Sequence, residues 1–409
     1  MTPKDWAETP LGEFMVLEYG SSLRDVDRTG TGYAVLGSNG QVGQHSRFLV
    51  EGPGIVVGRK GSVGAVTWSA HPFWPIDTTY YVRTLRDCDR RWLFWMMQSL
   101  GLARLDSSTG VPGLNRNDAY RMVVAKPRLC EQRAIARIID AADEAITASE
   151  ALIAKLRQIK AGLLHDLLTR GIDENGQPRD PVAHPEQFRD SELGMIPVEW
   201  DVCTLGSTLG RLGGWIQTGP FGTQLHAYEY QKDGVPVVMP QDINEGRIAA
   251  DVTVRIGAAK AAKLSRHRLR EGDVLFARRG DLSKCAAVTR DQTDWLCGTD
   301  CLLMRVPGDR NSSIWFSDLF RHDSTQRQVG ARAVGSTMPG LNGDVMSSLV
   351  IAWPSYEEQA MIAGKVSVIT ARISAEEREV AKLRALKQGL MHDLLTGRVR
   401  VPQTAQAEV

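Results

Sequence analysis

His165-Asp166-Leu167-Leu168-Thr169 occurs again in the chain as His392-Asp393-Leu394-Leu395-Thr396, 227 residues later. The same offset of 227 relates two further pairs of motifs, which are Pro112-Gly113-Leu114-Asn115 with Pro339-Gly340-Leu341-Asn342, and Glu131-Gln132 with Glu358-Gln359. An offset that stays constant over this length indicates a block copied without a gap, because chance matches do not keep register. The chain therefore contains an internal duplication.

The two copies also align upstream of this block, with smaller offsets. The segment 51–61 resembles 271–280 at an offset of 219 to 220, and Trp6 with Leu11 matches Trp200 with Leu205 at 194. The second copy therefore carries extra residues, mostly between Gly206 and Glu271. A period near 200 residues is far too long for a solenoid, so we interpret the chain as a two-fold duplicated protein.

Composition places the chain among globular multidomain proteins. It has 409 residues, of which 43% are hydrophobic and 24% charged, and a net charge of +1. Six cysteines without a CxxC pair exclude a disulfide scaffold and a zinc finger. The N-terminus lacks the pattern of a signal peptide, and the longest apolar run, 92–97, is too short to span a membrane. We expect a reduced, cytoplasmic environment.

Each copy begins with a glycine-rich part and ends with a long helix. In the first part, short apolar runs separated by Gly, Pro and Asp predict strands at 54–57, 63–66, 235–239 and 274–277, and 91–105 is a helix candidate. In the second part, apolar residues recur every three or four positions, as in a coiled-coil seam. The predicted seam comprises Ile135, Ile138, Ala142, Ile146, Ser149, Leu152, Leu156, Ile159, Leu163 and Leu167, and in the second copy Ile362, Val366, Ile369, Ile373, Val380, Leu383, Leu386, Leu390 and Leu394.

A helix with such a narrow apolar seam needs a partner, and its copy is the obvious one. Copies related by a pseudo-two-fold axis pack their helices antiparallel. The predicted fold class is therefore α+β, with two globular β-rich domains separated by two long helices that form an antiparallel coiled coil. The expected boundaries are a first recognition domain at 1–128, a first helix at 129–170, a linker at 171–199, a second recognition domain at 200–353, a second helix at 354–397 and a tail at 398–409.

Local charge is more informative than net charge. Between Arg255 and Arg290 there are ten Lys or Arg residues and three acidic ones. Such a run is often only a solvated face. However, both copies also place a basic pair beside a glycine turn, Arg59-Lys60 in the first and Arg278-Arg279 in the second. The repeated pair favours a surface that contacts phosphates.

Residues typical of catalysis are not found. The sequence lacks methyltransferase, ATPase and nuclease motifs, and 54–62 only faintly resembles a phosphate loop because Arg59-Lys60 stands where Gly-Lys is needed. A metal site at the two His-Asp pairs is disfavoured, since adjacent residues of a helix point in different directions. Asn115 and Asn342 are interpreted as turn or helix-cap residues.

Taken together, the duplicated motifs resemble the specificity subunit of type I restriction–modification enzymes. The resemblance covers nearly the whole chain. It depends on two long helices that open with Glu-Gln and end with His-Asp-Leu-Leu-Thr, and on the ordered motifs Gly37-Ser38-Asn39-Gly40, 58–64 and Leu193-Gly194-Met195-Ile196-Pro197 ahead of Trp200.

The resemblance implies a subunit that is not catalytic alone and that binds no cofactor itself. It implies two domains that each read one half of a split, asymmetric site in double-stranded DNA, with a fixed spacer. Two modification subunits carrying S-adenosylmethionine would bind the helices and methylate a flipped adenine. Restriction subunits using ATP and Mg²⁺ would join them in a prokaryotic cytoplasm. Candidate docking residues are Glu131, Gln132, His165, Asp166, Glu358, Gln359, His392 and Asp393.

Specificity should reside where the copies differ, because the two halves read different sequences. Elements shared by both copies should serve folding, phosphate contact or docking, which makes Arg59, Lys60, Arg278, Arg279 and Lys284 phosphate-contact candidates. Base contacts should come from 13–50 and 207–254, where Asn and Gln suit adenine and Arg suits guanine. The candidates are Asn39, Gln41, His45 and Arg47 in the first copy, and Gln217, Thr218, Gln224, His226 and Gln241 in the second.

An alternative from another functional class is a coiled-coil adaptor that binds only proteins. In that case the basic residues would serve solubility, and DNA binding that depends on salt would be absent.

Overall fold

The computed structural model describes residues 3, 5–85, 87–105, 113–306, 312–333 and 340–402, and the chain divides into two compact units. Unit 1 consists of 1–153 and 375–409, and unit 2 consists of 154–374. Pro112, Pro339 and residues 403–409 of the expected tail lie outside the described residues.

Unit 1 is built mainly from short strands. Its strands are β1 (Ala7–Pro10), β2 (Met15–Tyr19), β3 (Tyr33–Gly37), β4 (Gly40–His45), β5 (Gly54–Gly58), β6 (Val66–Ser69), β7 (Phe73–Pro75), β8 (Thr79–Thr84) and β9 (Val123–Lys126). Its helices are α1 (Arg90–Ser99), α2 (Arg116–Arg121) and the start of α3 (Leu129–Arg170), with 3₁₀ turns at Leu11–Glu13, Asp25–Asp27 and Leu102–Leu105.

The strands of unit 1 form three sheets, in the orders β2-β8-β5-β6, β4-β3-β7 and β1-β9. Alternation in β2 turns Met15 and Leu17 inward, where both are fully buried. They join Trp92 and Trp95 of α1 in the main core. The Asp89 carboxylate caps α1 by accepting hydrogen bonds from Arg91 N and Trp92 N, which fixes where this core helix begins.

Unit 2 has more and shorter strands. They are β10 (Phe188–Ser191), β11 (Gly194–Pro197), β12 (Asp201–Thr204), β13 (Trp215–Thr218), β14 (Tyr230–Gln231), β15 (Val235–Val238), β16 (Ile243–Asn244), β17 (Arg247–Ile248), β18 (Arg255–Ile256), β19 (Val274–Ala277), β20 (Cys285–Ala287), β21 (Leu296–Cys297), β22 (Cys301–Arg305) and β23 (Val350–Trp353).

Unit 2 also has more helices than unit 1. They are α4 (Leu205–Leu212), α5 (Ala258–Lys263), α6 (Ser313–Arg321), α7 (Asp323–Arg332), α8 (Gly343–Ser347) and α9 (Tyr356–Leu395), with 3₁₀ turns at Pro185–Gln187, Gly222–Gln224, Ala227–Glu229, Pro240–Asp242, Ser265–His267 and Arg290–Gln292. Two four-stranded sheets, β13-β22-β19-β20 and β14-β18-β15-β21, carry most of its core.

The duplication is visible in the pairing that closes each unit. In unit 1, β1 pairs antiparallel with β9, so that Ala7 lies opposite Lys126. In unit 2, β12 pairs antiparallel with β23, so that Asp201 lies opposite Trp353. The offsets are 194 for the first strand and 227 for the second, as the sequence alignment predicts.

Each unit contains the beginning of one long helix packed against the end of the other. In unit 1, Ile135 and Ile139 of α3 share a core with Leu390 and Leu394 of α9. In unit 2, Leu163 and Leu167 of α3 share a core with Ile362 and Val366 of α9. In unit 1, Lys387 pairs with Asp143, and Arg384 pairs with Glu150. Residue numbers rise along one helix as they fall along the other, which defines an antiparallel pair.

Several predicted seam positions are wrong by one residue. Leu152, Ile159 and Leu386 are 38%, 48% and 55% exposed, and Ile139 is buried more deeply than Ile138. A strict alternation of four- and three-residue steps runs instead through Ile135, Ile139, Ala142, Ile146, Ser149, Ile153, Leu156, Lys160, Leu163 and Leu167, and in α9 through Ile362, Val366, Ile369, Ile373, Glu376, Val380, Leu383, Lys387, Leu390 and Leu394. The prediction placed the apolar Ile159 and Leu386 in the seam, whereas the seam positions are occupied by the adjacent Lys160 and Lys387.

Two further predicted elements have bounds that differ from those in the structure. The helix expected over 91–105 stops at Ser99, because Gly101 adopts a φ of 63° that no helix accommodates, and a 3₁₀ turn follows. The strand expected over 63–66 begins only at Val66. Residues 63–65 form a turn in which Gly64 has a φ of 74°.

The segment expected to be a linker, 171–199, is folded as part of unit 2. It contains the hairpin β10–β11, and Ile172 is buried. Within the described ranges, no helix is long and apolar enough to cross a membrane.

Buried carboxylates join remote segments within each unit. In unit 1, Glu131 is 2% exposed and accepts hydrogen bonds from Trp6 Nε1 (3.0 Å), Arg400 Nε (2.7 Å) and Arg400 Nη2 (2.9 Å). In unit 2, Glu358 is 6% exposed and accepts from Trp200 Nε1 (3.0 Å), Arg179 Nη1 (2.6 Å) and Ile172 N (2.8 Å). In both units the carboxylate ties the first residues of the β-rich part to the chain that follows the other long helix.

The neighbouring glutamines attach each long helix to the core helix of its unit. Gln132 accepts from Asp89 N (2.8 Å) and donates to Pro127 O (2.9 Å). Gln359 accepts from Ser312 N (3.0 Å) and donates to Pro354 O (3.1 Å). Asp89 and Ser312 are the N-cap residues of α1 and α6. The Glu-Gln dipeptide is therefore a structural connector in both units.

We predict that Glu358→Gln destabilises the protein by about 3 kcal/mol, because it removes the buried carboxylate of the pair and leaves the largely buried Arg179 guanidinium with only the exposed Glu199 as a charged partner. Urea unfolding of unit 2, followed by tryptophan fluorescence, measures the change. The matched control is Glu357→Gln, which alters an exposed carboxylate one residue away and should shift stability by less than about 0.5 kcal/mol. Equal effects of the two substitutions would contradict a special role for Glu358.

Candidate nucleic-acid interface

A basic turn follows the central strand β5 of unit 1. The amides of Arg59 and Lys60 both donate to Thr78 O, at 2.9 and 3.0 Å, and Gly61 takes a φ of 77°. The Arg59 carbonyl accepts from Leu114 N (2.9 Å), and Lys60 forms a bridge with Gly113. The turn is thus held against the Gly-Leu-Asn segment of the repeated motif.

The same arrangement occurs in unit 2 after β19. The Arg278 carbonyl accepts from Leu341 N (2.9 Å), Arg279 forms a bridge with Gly340, and Gly280 takes a φ of 79°. The two turns therefore correspond residue by residue, Arg59 to Arg278 and Lys60 to Arg279. In each unit a leucine amide donates to the carbonyl of the first cation, and the second cation forms a bridge with a glycine.

The side chains of these cations differ in their contacts and exposure. The Arg59 guanidinium donates to Asp77 O at 2.8 and 3.1 Å and lies 5.2 Å from the Tyr19 ring centroid, while Lys60 is exposed. Arg279 is exposed and lies 3.7 Å from the Asp300 carboxylate. The exposed member of each pair can reach a phosphate without loss of a buried contact.

The repeated asparagines cap helices, as the sequence predicts. Asn115 Oδ1 accepts from Asn117 N (2.9 Å) at the start of α2, and Asn342 Oδ1 accepts from Val345 N (2.8 Å) at the start of α8.

Three predicted base-contact residues of unit 2 lie together in one groove of about 460 Å³. Gln217 and Thr218 lie at the end of β13, and Gln224 lies in a 3₁₀ turn. The groove is also lined by Phe221, Lys260, Lys263, Leu264, Arg266 and His267. Amide and hydroxyl groups that can read base edges are thus adjacent to three cations that can contact phosphates.

Internal contacts hold the residues of this groove in place. Gln217 Nε2 donates to Arg266 O at 2.6 Å, and Lys260 pairs with Glu229 at 2.7 Å. Lys263 and Arg266 are exposed, and Phe221 is 56% exposed. Burial, with a smaller contribution from Arg266, lowers the pKa of His267, which favours a neutral imidazole at this groove.

The remaining candidates of unit 2 lie outside the groove. The His226 ring stacks on Tyr228, with centroids 5.0 Å apart, and Tyr228 is 82% exposed. Lys284 Nζ donates to Pro240 O (3.2 Å), which places it beside the exposed Gln241. These residues offer additional polar groups, but they do not line the groove that contains Gln217.

The candidates of unit 1 lie on the hairpin β3–β4 and just beyond it. Asn39, in the turn, and Gln41 and Arg47 are exposed. His45 is half-buried against the edge of Trp74, with ring centroids 5.6 Å apart, and its Nδ1 has no partner among the described residues. The hairpin therefore presents three of the four predicted side chains to solvent.

Reasoning from the sequence missed part of this surface. Lys260, Lys263 and Arg266 were counted in the basic run but were not selected as site residues. Lys260 and Lys263 are three residues apart in α5, a spacing that places two cations on one face of a helix. The exposed Phe221 carried no signal beyond its aromatic character, and no local pattern places it beside α5.

The candidate docking residues fall into two groups. Glu131, Gln132, Glu358 and Gln359 are buried and hydrogen-bonded within their units, so any part they play in docking acts through the segments they hold. His165 and His392 are exposed, and Asp166 and Asp393 pair with Arg170 and Arg398 on the same surface. The imidazoles of His165 and His322 lie within 3.4 Å.

No cluster of His, Cys, Asp and Glu side chains in the described ranges could hold a metal ion. The six cysteines are free thiols, and burial raises the pKa of Cys285 to about 12.

Sequence comparisons find several relatives, although no family model matches the chain. It is 23% identical over 301 residues to the type I restriction enzyme MjaVIII specificity subunit of Methanocaldococcus jannaschii, a match that covers 72% of this chain and 66% of that protein. It is 21% identical over 424 residues to the type I restriction enzyme EcoDI specificity subunit of Escherichia coli, covering 99% and 90%. The chain thus spans just under two thirds of the archaeal relative.

A solved structure has the same fold. The crystal structure of the S subunit of a type I restriction–modification system from M. genitalium superposes with a TM-score of 0.65 at 16% identity, covering 97% of this chain and 99% of that one. The family resemblance and the predicted α+β fold with two β-rich parts and paired long helices are confirmed.

We predict that Lys263→Ala weakens binding of duplex DNA to a similar degree for all sequences. Loss of one phosphate contact should also lower the slope of log affinity against log salt by about one. Fluorescence anisotropy across a salt series measures both quantities. Lys232→Ala, which removes an exposed cation of unit 2 that does not line the groove, is the matched control and should leave the slope unchanged. An unchanged slope for Lys263→Ala would exclude the groove as a phosphate contact.

Proposed function

We propose that this relative of the type I restriction enzyme specificity subunits is the DNA-recognition subunit of a restriction–modification complex and has no active site of its own. The observation that carries the proposal is the basic turn that occurs twice, held to a Gly-Leu-Asn segment by the same backbone hydrogen bonds in both units. Two equivalent turns that can contact phosphates are what we expect of a protein that binds DNA through both of its units.

The turns would position DNA without reading its sequence. Backbone-held Lys60 and Arg279 present charge at equivalent places, and contacts to phosphates are independent of base identity. Neutralised phosphates release counterions, so affinity would fall steeply as salt rises.

Sequence would be read by the parts that differ between the units. In unit 2 these are the groove residues Gln217, Thr218 and Gln224, and in unit 1 they are the exposed residues Asn39, Gln41 and Arg47 of the β3–β4 region. Because the two surfaces carry different side chains on different local structures, we infer that the two half-sites differ in sequence. The recognised site would then be asymmetric.

The long helices would set the spacer between the half-sites. Helix α3 begins in unit 1 and ends in unit 2, and α9 begins in unit 2 and ends in unit 1. Helix α3 has 42 residues, or about 63 Å at about 1.5 Å per residue. A helix pair without an internal break keeps a fixed length, which is what a constant spacer requires.

Catalysis would come from partner subunits. We propose that two modification subunits, with S-adenosylmethionine bound, dock near the helix ends, where His165 and His392 are exposed. A base inside the stack cannot be methylated, so those subunits would act on a flipped adenine. Restriction subunits that use ATP and Mg²⁺ would complete the complex. The chain itself would supply recognition and scaffolding.

The adaptor alternative differs in a measurable respect. An adaptor that binds only proteins does not require cations beside amide groups in a groove. In that case substitution of Lys263 would not change the affinity of the complex for duplex DNA. Salt-dependent binding of duplex DNA by the complex separates the two functions.

Mapping of methylated adenines in cells that carry the complex tests the proposal. We expect one gapped, asymmetric motif. Insertion of four residues into both helices at the Glu150–Arg384 pair adds about 6 Å, so the spacer should lengthen by about two base pairs at about 3.4 Å each. The two half-site sequences should not change.

The control places the same four residues in the exposed turn at Asn175, which lengthens the chain but not the helix pair. The spacer should then remain unchanged. Helix insertions that keep methylation active with the original spacer would refute the role of the helices, and methylation of an ungapped motif would refute two-part recognition.

A further inference from the structure

Two lysines occupy equivalent positions in the otherwise apolar seam of the long helices. Lys387 lies in unit 1 and Lys160 in unit 2, and they are related by the offset of 227 that holds throughout this block. A buried or half-buried ammonium group needs compensation, because removal of a charge from water is costly. How each unit compensates its lysine can therefore be compared directly.

In unit 1 the lysine is fully compensated. Lys387 Nζ lies 2.5 Å from Asp143 Oδ1 and 4.2 Å from the centroid of the Trp95 ring. The adjacent Asp140 accepts hydrogen bonds from Arg91 Nε (2.7 Å) and Trp95 Nε1 (2.8 Å). Each charge at this position has a partner within the chain.

In unit 2 the corresponding carboxylates are missing. Positions equivalent to Asp140, Asp143 and Glu144 hold Ser367, Thr370 and Ala371. Lys160 makes no hydrogen bond and no ion pair within 4.0 Å in the part of the chain that the structure describes. Unit 2 therefore has the cation but not the carboxylates that lie near it in unit 1.

A cavity of about 200 Å³ takes the place of those side chains. It is lined by Lys160, Ser367 and Thr370 on the long helices, by Ser317, Asp318 and Arg321 on α6, and by Glu245 and Arg247 beside β17. At about 30 Å³ per water, this is enough room for a tetrahedral oxyanion and a few waters.

The charges around the cavity favour an anion. Its lining contains three cations, Lys160, Arg247 and Arg321, and two carboxylates. One of the carboxylates, Asp318, forms an ion pair with Arg321 Nη2 at 2.5 Å. The Arg247 guanidinium donates to Ser374 Oγ at 2.8 Å, which holds it at the cavity rim. The ionised cavity has a net charge of +1.

Burial lowers the pKa of Lys160, and the neighbouring Arg321 and Arg247 lower it further, while Asp318 and Glu245 raise it. An anion that binds here would favour the ammonium form and offset this depression.

We propose that this cavity of unit 2 binds a phosphate-sized oxyanion through Lys160 and Arg321, in the place that carboxylates of the chain fill in unit 1. The oxyanion is either free phosphate or a phosphate of a nucleic-acid backbone. The inference does not depend on the proposed function, because it concerns residues outside the recognition groove.

Calorimetric titration of the full-length chain with inorganic phosphate, at ionic strength held constant with chloride, tests the proposal. Phosphate should bind and raise the melting temperature as its concentration increases. Lys160→Met should weaken phosphate binding by at least about ten-fold, as expected for loss of a charged hydrogen bond. The matched control Lys387→Met, at the equivalent position of unit 1, should leave phosphate affinity unchanged.

Thr370→Asp provides a second, independent test that does not remove the buried lysine. It restores the carboxylate that unit 1 has at Asp143, so the chain should supply its own anion. We expect a higher melting temperature and loss of the phosphate effect. Absence of phosphate binding by the unaltered protein, or phosphate binding that survives both Lys160→Met and Thr370→Asp, would overturn the proposal.

A duplex of arbitrary sequence distinguishes the two sources of the oxyanion. If the ligand is a backbone phosphate, Lys160→Met should lower affinity for this duplex, and inorganic phosphate should compete with it. If the ligand is free phosphate, Lys160→Met should leave duplex binding unchanged while phosphate binding is lost.

Discussion

Both units depend on a buried carboxylate that must be satisfied. Glu131 and Glu358 lose their hydration when the units fold, and an unpaired buried charge costs several kcal/mol. Each is compensated by an indole N–H from the start of its unit and an arginine from the chain that follows the other long helix. Three segments that are far apart in sequence are thereby fixed at one point. The strand pair that closes each unit and the antiparallel helix ends are both anchored beside it.

The duplication separates what the fold needs from what differs between the copies. The glutamines of the Glu-Gln connectors and the carbonyls of the basic turns keep equivalent hydrogen bonds in both units, and the repeated asparagine caps a helix in each. The polar residues of the groove in unit 2 and of the hairpin in unit 1 have no common pattern. The seam lysines, Lys160 and Lys387, combine a shared feature with a difference. Both units have the cation, but only unit 1 has a carboxylate that pairs with it.

Much of this architecture is predictable from sequence, for reasons that can be stated. Constant offsets revealed the copies, and periodicity revealed α3 and α9, because both signals extend over dozens of residues. The seam itself was misplaced at Leu152, Ile159 and Leu386, since an apolar pattern cannot show that Lys160 and Lys387 face inward. Only the polar residues of the groove in unit 2 were predicted as site residues, and its cations were not. Gln217 and Gln224 were selected by chemistry, whereas their proximity to Lys263 arises from tertiary packing of β13 against the end of α5 and the turn that follows it, which no local signal encodes.

The buried Glu131 carboxylate of unit 1 also bears on the order in which the two units can fold. Unit 2 is one continuous stretch, 154–374, so it can form as soon as that stretch has left the ribosome. Residues 1–153 of unit 1 precede that stretch, yet Glu131 pairs with Arg400, 269 positions further along. Unit 1 is therefore completed only after all of unit 2 has been synthesised, and until then Glu131 has Trp6 but lacks its charged partner.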